Sequence, residues 1–199
     1  DADGSRSGYG YDYLQAMHYL DHVLKVFIED LRAVGLLDNS VIFLYGDHGA
    51  ALPPEDMKKI KQDIVAPYSC GKTVKIPLFI RMPGQRYGKV LDTWSGHIDL
   101  PPTLLHILGI PPDNAFFLGK NPFSKADDSL VSFANGSFVS TKYGFSNRGS
   151  SLSEGDCYDI QTCVNVDFHF CQEGFEKTKT DLSISNTVLE QNLLPRLRR

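Results

Sequence analysis

Val41-Ile-Phe-Leu-Tyr-Gly-Asp-His-Gly49 decides the fold class of this chain. A five-residue β-branched and aromatic run reads as a buried strand, and Gly46 and Gly49 give its exit loop unusual backbone freedom. Asp47 and His48 then stand just past the carboxyl end of that strand, where open α/β sheets bind their ligands. A carboxylate oxygen beside an imidazole nitrogen suits a divalent ion such as Zn²⁺ or Mn²⁺. The same nine residues also fit a strand and turn carrying a hydrogen-bonded Asp–His pair with no catalytic consequence.

Working outward, Leu14, Met17, Leu20, Leu24, Phe27, Ile28, Leu31 and Val34 recur at helical spacing before the strand, and Gly35 ends that helix. After the strand, residues 52–73 read as a polar surface insertion with a lysine-rich centre at Lys58, Lys59 and Lys61. Val74 to Arg81 is a second apolar run, in which Pro77 fits a strand start or edge. Asp99 to Gly109 reads as a short helix with Asp99 as N-cap, prolines in the first turn and a terminal glycine. Ser129 to Ala134 and Ser137 to Thr141 read as short strands around an Asn135-Gly136 turn, and Asp181 to Leu194 as a last helix. Asn135-Gly136-Ser137 also matches a glycosylation sequon, but the turn reading is preferred. Helices alternating with strands, then hairpins and a helix, indicate an α/β layer fold.

The 199 residues suffice for a sizeable core, and 42% hydrophobic with 22% charged residues is ordinary for a globular chain. A net charge of −4 and the lack of a basic–aromatic stripe argue against a nucleic-acid partner. The one basic cluster, Arg196, Arg198 and Arg199, reads as a solvated end. No apolar run approaches the about 18 residues a membrane helix needs. The polar, glycine-rich opening Asp-Ala-Asp-Gly-Ser-Arg-Ser reads as a loop or cut end, so a piece of a longer protein is expected.

Cys70, Cys157, Cys163 and Cys171 form no Cys-x-x-Cys pair, which weakens a structural zinc reading. Cys157 and Cys163 flank a turn-like segment, and if those flanks pair as a hairpin the sulfurs face each other; reduced thiols are the alternative. Among the other histidines, His97 precedes Asp99 and is a candidate substrate contact. His18 reads as packed on a helix, and His22, four residues on, lacks a third ligand. His106 and His169 read as structural or solvated, and Trp94 as packing.

Five segments in order resemble the sulfatase (alkaline-phosphatase-like) superfamily. They are Tyr13-Leu-Gln-Ala-Met-His-Tyr-Leu-Asp21, Gly35 to His48, Lys75-Ile-Pro-Leu-Phe-Ile-Arg-Met-Pro-Gly84, Gly96 to Gly109, and Phe133-Ala-Asn-Gly-Ser-Phe-Val-Ser140 with the last helix. The last is most similar to the lipoteichoic acid synthase (phosphoglycerol transferase) group, although Gly49-Ala50-Ala51 departs from the tyrosine those synthases commonly carry after the pair. The resemblance implies the C-terminal part of a sulfatase-like core, a layered sheet with flanking helices, over 1–125, then a small antiparallel sheet and terminal helix over 126–199.

It further implies an extracellular enzyme, on the outer face of the cytoplasmic membrane and with room for a membrane-anchored parent. One divalent ion, Mn preferred with Mg or Zn as alternatives, would activate a threonine nucleophile. Asp47 and His48 match two ligands of that ion, the second nitrogen of His48 being held by an outer acceptor. The nucleophile and remaining ligands match nothing in this chain, so no turnover is expected from it alone. The implied partner is a lipid-linked glycerophosphate or another phosphate or sulfate ester. A sulfatase or phosphoester hydrolase of the same fold, and a non-catalytic binding module, are the alternatives.

Overall fold

The computed structural model describes residues 8–49, 52–53, 55–56, 75–91, 93–112, 116–123 and 130–197. The lysine-rich insertion at Lys58, Lys59 and Lys61, Cys70, and the basic end at Arg198 and Arg199 lie outside the described residues. The chain divides into two compact units, Asp1–Val90 and Leu91–Arg199. The change from helix–strand alternation to antiparallel sheet suggested near 125/126 falls inside the second.

In the first unit, helix α1 (Tyr9–Ala33) realises the apolar periodicity of the sequence. It ends in a Schellman motif: the Leu36 amide donates to Leu31 O at 2.9 Å and the Gly35 amide to Arg32 O at 3.1 Å. Gly35 sits at φ 74, which a Cβ would strain, so a glycine is the residue for that stop. A short 3₁₀ turn, Leu37–Asn39, leads into β1 (Ile42–Tyr45). β1 pairs antiparallel with β2 (Leu78–Arg81) in the register Ile42↔Arg81 to Tyr45↔Leu78. Pro77 lies just before β2, as expected of a residue without an amide proton, and its carbonyl accepts from the Gly46 amide at 3.0 Å. Arg81 closes the ribbon onto the 3₁₀ turn through Leu37 O and through Asp38 Oδ1 at 3.1 Å.

The second unit opens with a 3₁₀ turn, His97–Asp99, running into α2 (Leu100–Ile107). Asp99 caps the 3₁₀ turn rather than α2. Its Oδ2 accepts from the Gly96 amide at 2.8 Å and its Oδ1 from the Lys120 amide at 2.7 Å, so it ties the turn to a segment 21 residues away. Gly109, at φ 66, ends α2 with a second Schellman motif, as the sequence suggested.

Four antiparallel strands follow in the order β3 (Val131–Ser132), β4 (Phe138–Val139), β5 (Tyr143–Ser146) and β6 (Asp156–Asp159). Asn135-Gly136 makes the β3–β4 turn, where the Asn135 side chain accepts from the Ser137 amide at 3.0 Å. Helix α3 (Gln172–Glu190) begins nine residues earlier than its apolar periodicity implied, because its first half carries few apolar residues. Asn192, at φ 49, stops it, and a one-turn helix, α4 (Leu194–Leu197), closes the described chain. Gly174 and Phe175 bring the polar opening of α3 onto the sheet: a Cβ at Gly174 would collide with the Phe138 ring. The core comprises Phe138, Phe145, Cys157, Cys171 and Phe175, flanked by Leu130, Tyr143, Leu152 and Val166. Phe145 stacks on Phe138 at 5.9 Å and meets Phe175 edge-on at 5.3 Å.

The expected Cys157–Cys163 bridge is not formed. The hairpin exists, but its register places Tyr158 opposite Asn165, and the Val166 amide donates to Cys157 O at 3.0 Å. Cys163 therefore lies in the exposed turn at φ 61, while Cys157 points into the core. There it pairs with Cys171, with Cα atoms 5.9 Å apart. Cys163 is also disulfide-bonded, to a partner outside the described residues.

Candidate metal centre

The site residues follow from how β1 ends. Pairing with β2 continues through the Gly46 amide, and a Cβ at Gly46 would press on Ile76 at 3.2 Å, so glycine lets the ribbon close tightly there. The chain then turns, and Asp47 and His48 leave the sheet together. Asp47 Oδ1 accepts from the His48 amide at 2.9 Å, which fixes the carboxylate beside the imidazole. Asp47 Oδ2 and His48 Nε2 lie 3.6 Å apart. Nδ1 of His48 donates to Gly49 O at 2.9 Å, the tautomer that leaves the Nε2 lone pair outward.

That hydrogen bond, and then the Asp47 charge, raise the His48 pKa above the ordinary histidine value, so protons compete with an ion for Nε2 more strongly than at an ordinary histidine. Both side chains are open to solvent, Asp47 at 87% and His48 at 80% exposure.

This donor set fits a divalent ion. Ligand bonds of about 2.0–2.2 Å put neighbouring donor atoms about 3–3.6 Å apart, and the observed separation lies at that limit. The Gly49 carbonyl is the outer acceptor that a metal-bound histidine ordinarily uses. A backbone carbonyl carries no sequence signature, so the residue filling that role was not readable beforehand. Among the described residues no group of three His, Cys, Asp or Glu side chains is placed to hold an ion. Asp47 and His48 thus offer one oxygen and one nitrogen donor, with no third such side chain beside them among the described residues.

The remaining candidates behave differently. His97 lies in the second unit, exposed, as the first residue of the 3₁₀ turn that Asp99 caps. His18 and His22 both face solvent on α1, so His18 is not packed as its spacing suggested. His106 stacks on Phe123 at 6.3 Å. His169 lies 3.8 Å from the Phe170 ring and 2.8 Å from Asp167 Oδ1. Trp94 is half-buried.

The chain is similar to known proteins over most of its length. The chain is 36% identical to lipoteichoic acid synthase 1 of Bacillus subtilis over 188 residues, which cover 92% of this chain and 28% of that protein. It is 32% identical to the lipoteichoic acid synthase of Staphylococcus aureus over 183 residues, covering 91% of this chain and 27% of that one. The chain therefore spans little more than a quarter of the length of these relatives.

Among solved structures, the lipoteichoic acid synthase LtaP of Listeria monocytogenes shares the fold at a TM-score of 0.79 and 24% identity, over 96% of this chain and 48% of that one. The Sulfatase family model matches residues 10–110, just over half of the chain and the stretch that holds α1, the β1–β2 ribbon, Asp47, His48 and α2. On that match the chain belongs to the sulfatase family.

Proposed function

We propose that this chain forms part of the catalytic domain of a phosphoglycerol transferase, in which Asp47 and His48 supply two ligands of one divalent ion. The single observation behind this reading is the convergence of Asp47 Oδ2 and His48 Nε2 to 3.6 Å at the carboxyl end of β1. The similarity to lipoteichoic acid synthases supports a lipid-linked glycerophosphate as donor. Manganese is preferred, with magnesium or zinc as alternatives. When bound, such an ion lowers the effective pKa of a hydroxyl nucleophile and offsets charge building on phosphoryl oxygens. Asp47 contributes charge and fixes geometry at the site, while the Gly49 carbonyl holds His48 in the tautomer that presents Nε2. The nucleophile, a threonine, and the remaining ligands come from outside these residues, so the chain by itself is inactive. His97 is kept as a candidate substrate contact.

The proposed location is the extracytoplasmic face of the membrane. The Cys157–Cys171 bridge supports it, since buried structural disulfides persist in oxidising compartments. No helix among the described residues is long and apolar enough to cross a membrane.

Mn²⁺ electron paramagnetic resonance on the purified chain tests the ligands. Weak binding lost in both Asp47→Ala and His48→Ala is expected, and binding unchanged in either variant overturns the ligand assignment. A parallel assay with a glycerophospholipid donor should show no turnover. Robust Mn²⁺-dependent hydrolysis, lost in Asp47→Ala, would overturn the incomplete-site reading. The nucleophile encoded in the full-length gene separates the alternatives: threonine favours transfer, cysteine or serine a sulfate esterase, and neither a binding module.

A further inference from the structure

The side of α1 opposite its apolar stripe carries two histidines one turn apart. Tyr13, Met17, Leu20, Leu24, Phe27 and Leu31 fall along one side of Tyr9–Ala33 at about 100° per residue. His18 and His22 lie roughly opposite, with Gln15, Lys25 and Glu29, and both rings are exposed. A helix packs through its apolar stripe, so the histidine face is the one that stays toward solvent. Lys25 and Glu29 pair on that face at 4.0 Å, the i,i+4 arrangement of a solvated helix side. Neither imidazole has a hydrogen-bonding or charged partner among the described residues.

Residues i and i+4 of a helix are neighbours, with Cβ atoms about 5–6 Å apart, and helical side chains lean the same way along the axis. Two histidines at this spacing ligate one ion in helical zinc motifs that contain His-x-x-x-His. The pair lies more than two turns from either end of α1, away from the fraying termini. Two neutral imidazoles without a carboxylate suit Cu²⁺ best among the first-row ions, then Zn²⁺ or Ni²⁺, and suit Mn²⁺ least. Among the described residues no third His, Cys, Asp or Glu side chain joins them, so water fills the other positions, as a tetragonal Cu²⁺ site permits.

We infer that His18 and His22 form a second metal site, a two-imidazole clamp for Cu²⁺ on the solvent-facing side of α1. Its chemistry differs from that of the Asp47–His48 pair, where a carboxylate stands in place of one imidazole and a harder ion is proposed. Asp21, three residues past His18 and also exposed, adds negative charge near the clamp and offsets the Lys25 ammonium. The inference does not rest on the metal reading of Asp47 and His48.

The test uses the whole 199-residue chain carrying Asp47→Ala and His48→Ala, so that the other pair contributes nothing, with Cu²⁺ alone as the probe. Substoichiometric Cu²⁺ should broaden the amide resonances of Gln15 to Lys25 before any others. Electron spin echo envelope modulation should count two imidazoles on the ion. His18→Gln and His22→Gln should each lower Cu²⁺ affinity at least about tenfold, with the helical circular dichroism unchanged. The chain with His22→Gln and Val23→His keeps the number of histidines but turns the second ring about 100° away, and it should bind no better than His22→Gln alone. Excess Zn²⁺ should displace the Cu²⁺, and excess Mn²⁺ should not. The inference is overturned by unchanged affinity in His22→Gln, by full affinity in the shifted pair, or by first broadening at Asp167 and His169. Mn²⁺ binding at Asp47 and His48 is read on the original chain, so either site fails without the other.

Discussion

The two units of this chain divide its chemistry and its stability unequally. The first carries the Asp47–His48 pair and the β1 run that decides the fold class, yet among its described residues it buries a single apolar side chain, Leu37. The second has an Asp–His contact of its own, Asp167 with His169 at 2.8 Å, and a packed interior. It holds Phe138, Phe145, Phe175 and a disulfide in one core, with Tyr158 at 0% and Phe145 at 1% exposure. Hydrophobicity alone does not make a region self-sufficient. The ribbon of the first unit is as apolar as the core strands of the second, but two strands cannot cover two faces.

The sharpest way to break that contrast is to truncate a phenylalanine in each unit. Phe145→Ala removes a ring packed between Phe138 and Phe175 and should cost about 3–5 kcal/mol in urea unfolding followed by near-ultraviolet circular dichroism. Phe79→Ala, at a largely exposed ribbon position, should stay within about 0.5 kcal/mol in the isolated chain. Equal losses would mean that the first unit has a core of its own.

Next in size is the covalent tie. Cys157 and Cys171 are 14 residues apart, and a loop of that length contributes about 3 kcal/mol when closed. The Cys157→Ser, Cys171→Ser chain should lose that much from the second unit, with exchange at β1 and β2 unchanged. A smaller effect is expected from Gly144→Ala. A Cβ there would collide with the Tyr158 ring, and overpacking of this kind costs about 1–3 kcal/mol. A neutral outcome at Gly144 would show that β5 and β6 are free to spread apart.

What was readable in the sequence follows the same division. Local signals carried through: the α1 periodicity, the Gly35 and Gly109 stops, Pro77 at the entry to β2, and the Asn135-Gly136 turn are all set by neighbours in the chain. The Asp47–His48 juxtaposition was legible for that reason too, since two adjacent residues on one short loop have few ways to separate. Non-local choices were not. The hairpin register leaves Cys163 in the turn, and Cys171 meets Cys157 from the 3₁₀ turn Phe168–Cys171 beyond the hairpin, a partner that spacing alone does not select. The first half of α3 was hidden because Gly174 and Thr178 bury themselves against the sheet without an apolar signature. Asp99 showed itself as a cap, but its second bond, to Lys120, required the fold.

The smallest expected effect concerns the turn that keeps Cys163 away from Cys157. Asp159 Oδ1 accepts from the Thr162 amide at 2.7 Å, from the Thr162 hydroxyl at 2.9 Å and from the Gln161 amide at 2.9 Å. These bonds favour the ionised carboxylate, the Thr162 amide most, and hold the Asp159 pKa below the ordinary aspartate value. An unfolded Asp159 takes up its proton at the ordinary value, and the folded one only at lower pH. Its contribution is therefore fully present above the ordinary aspartate range and fades as pH falls through the depressed folded value. Amide exchange at Cys163 and Val164, corrected for the intrinsic pH dependence, should gain protection with rising pH across that window and be flat above it. In Asp159→Asn the gain should vanish while the β5–β6 amides keep their protection. A pH profile in the variant that matches the original chain would assign the turn's stability to its backbone bonds, Cys163 N to Asp159 O among them, and not to the carboxylate.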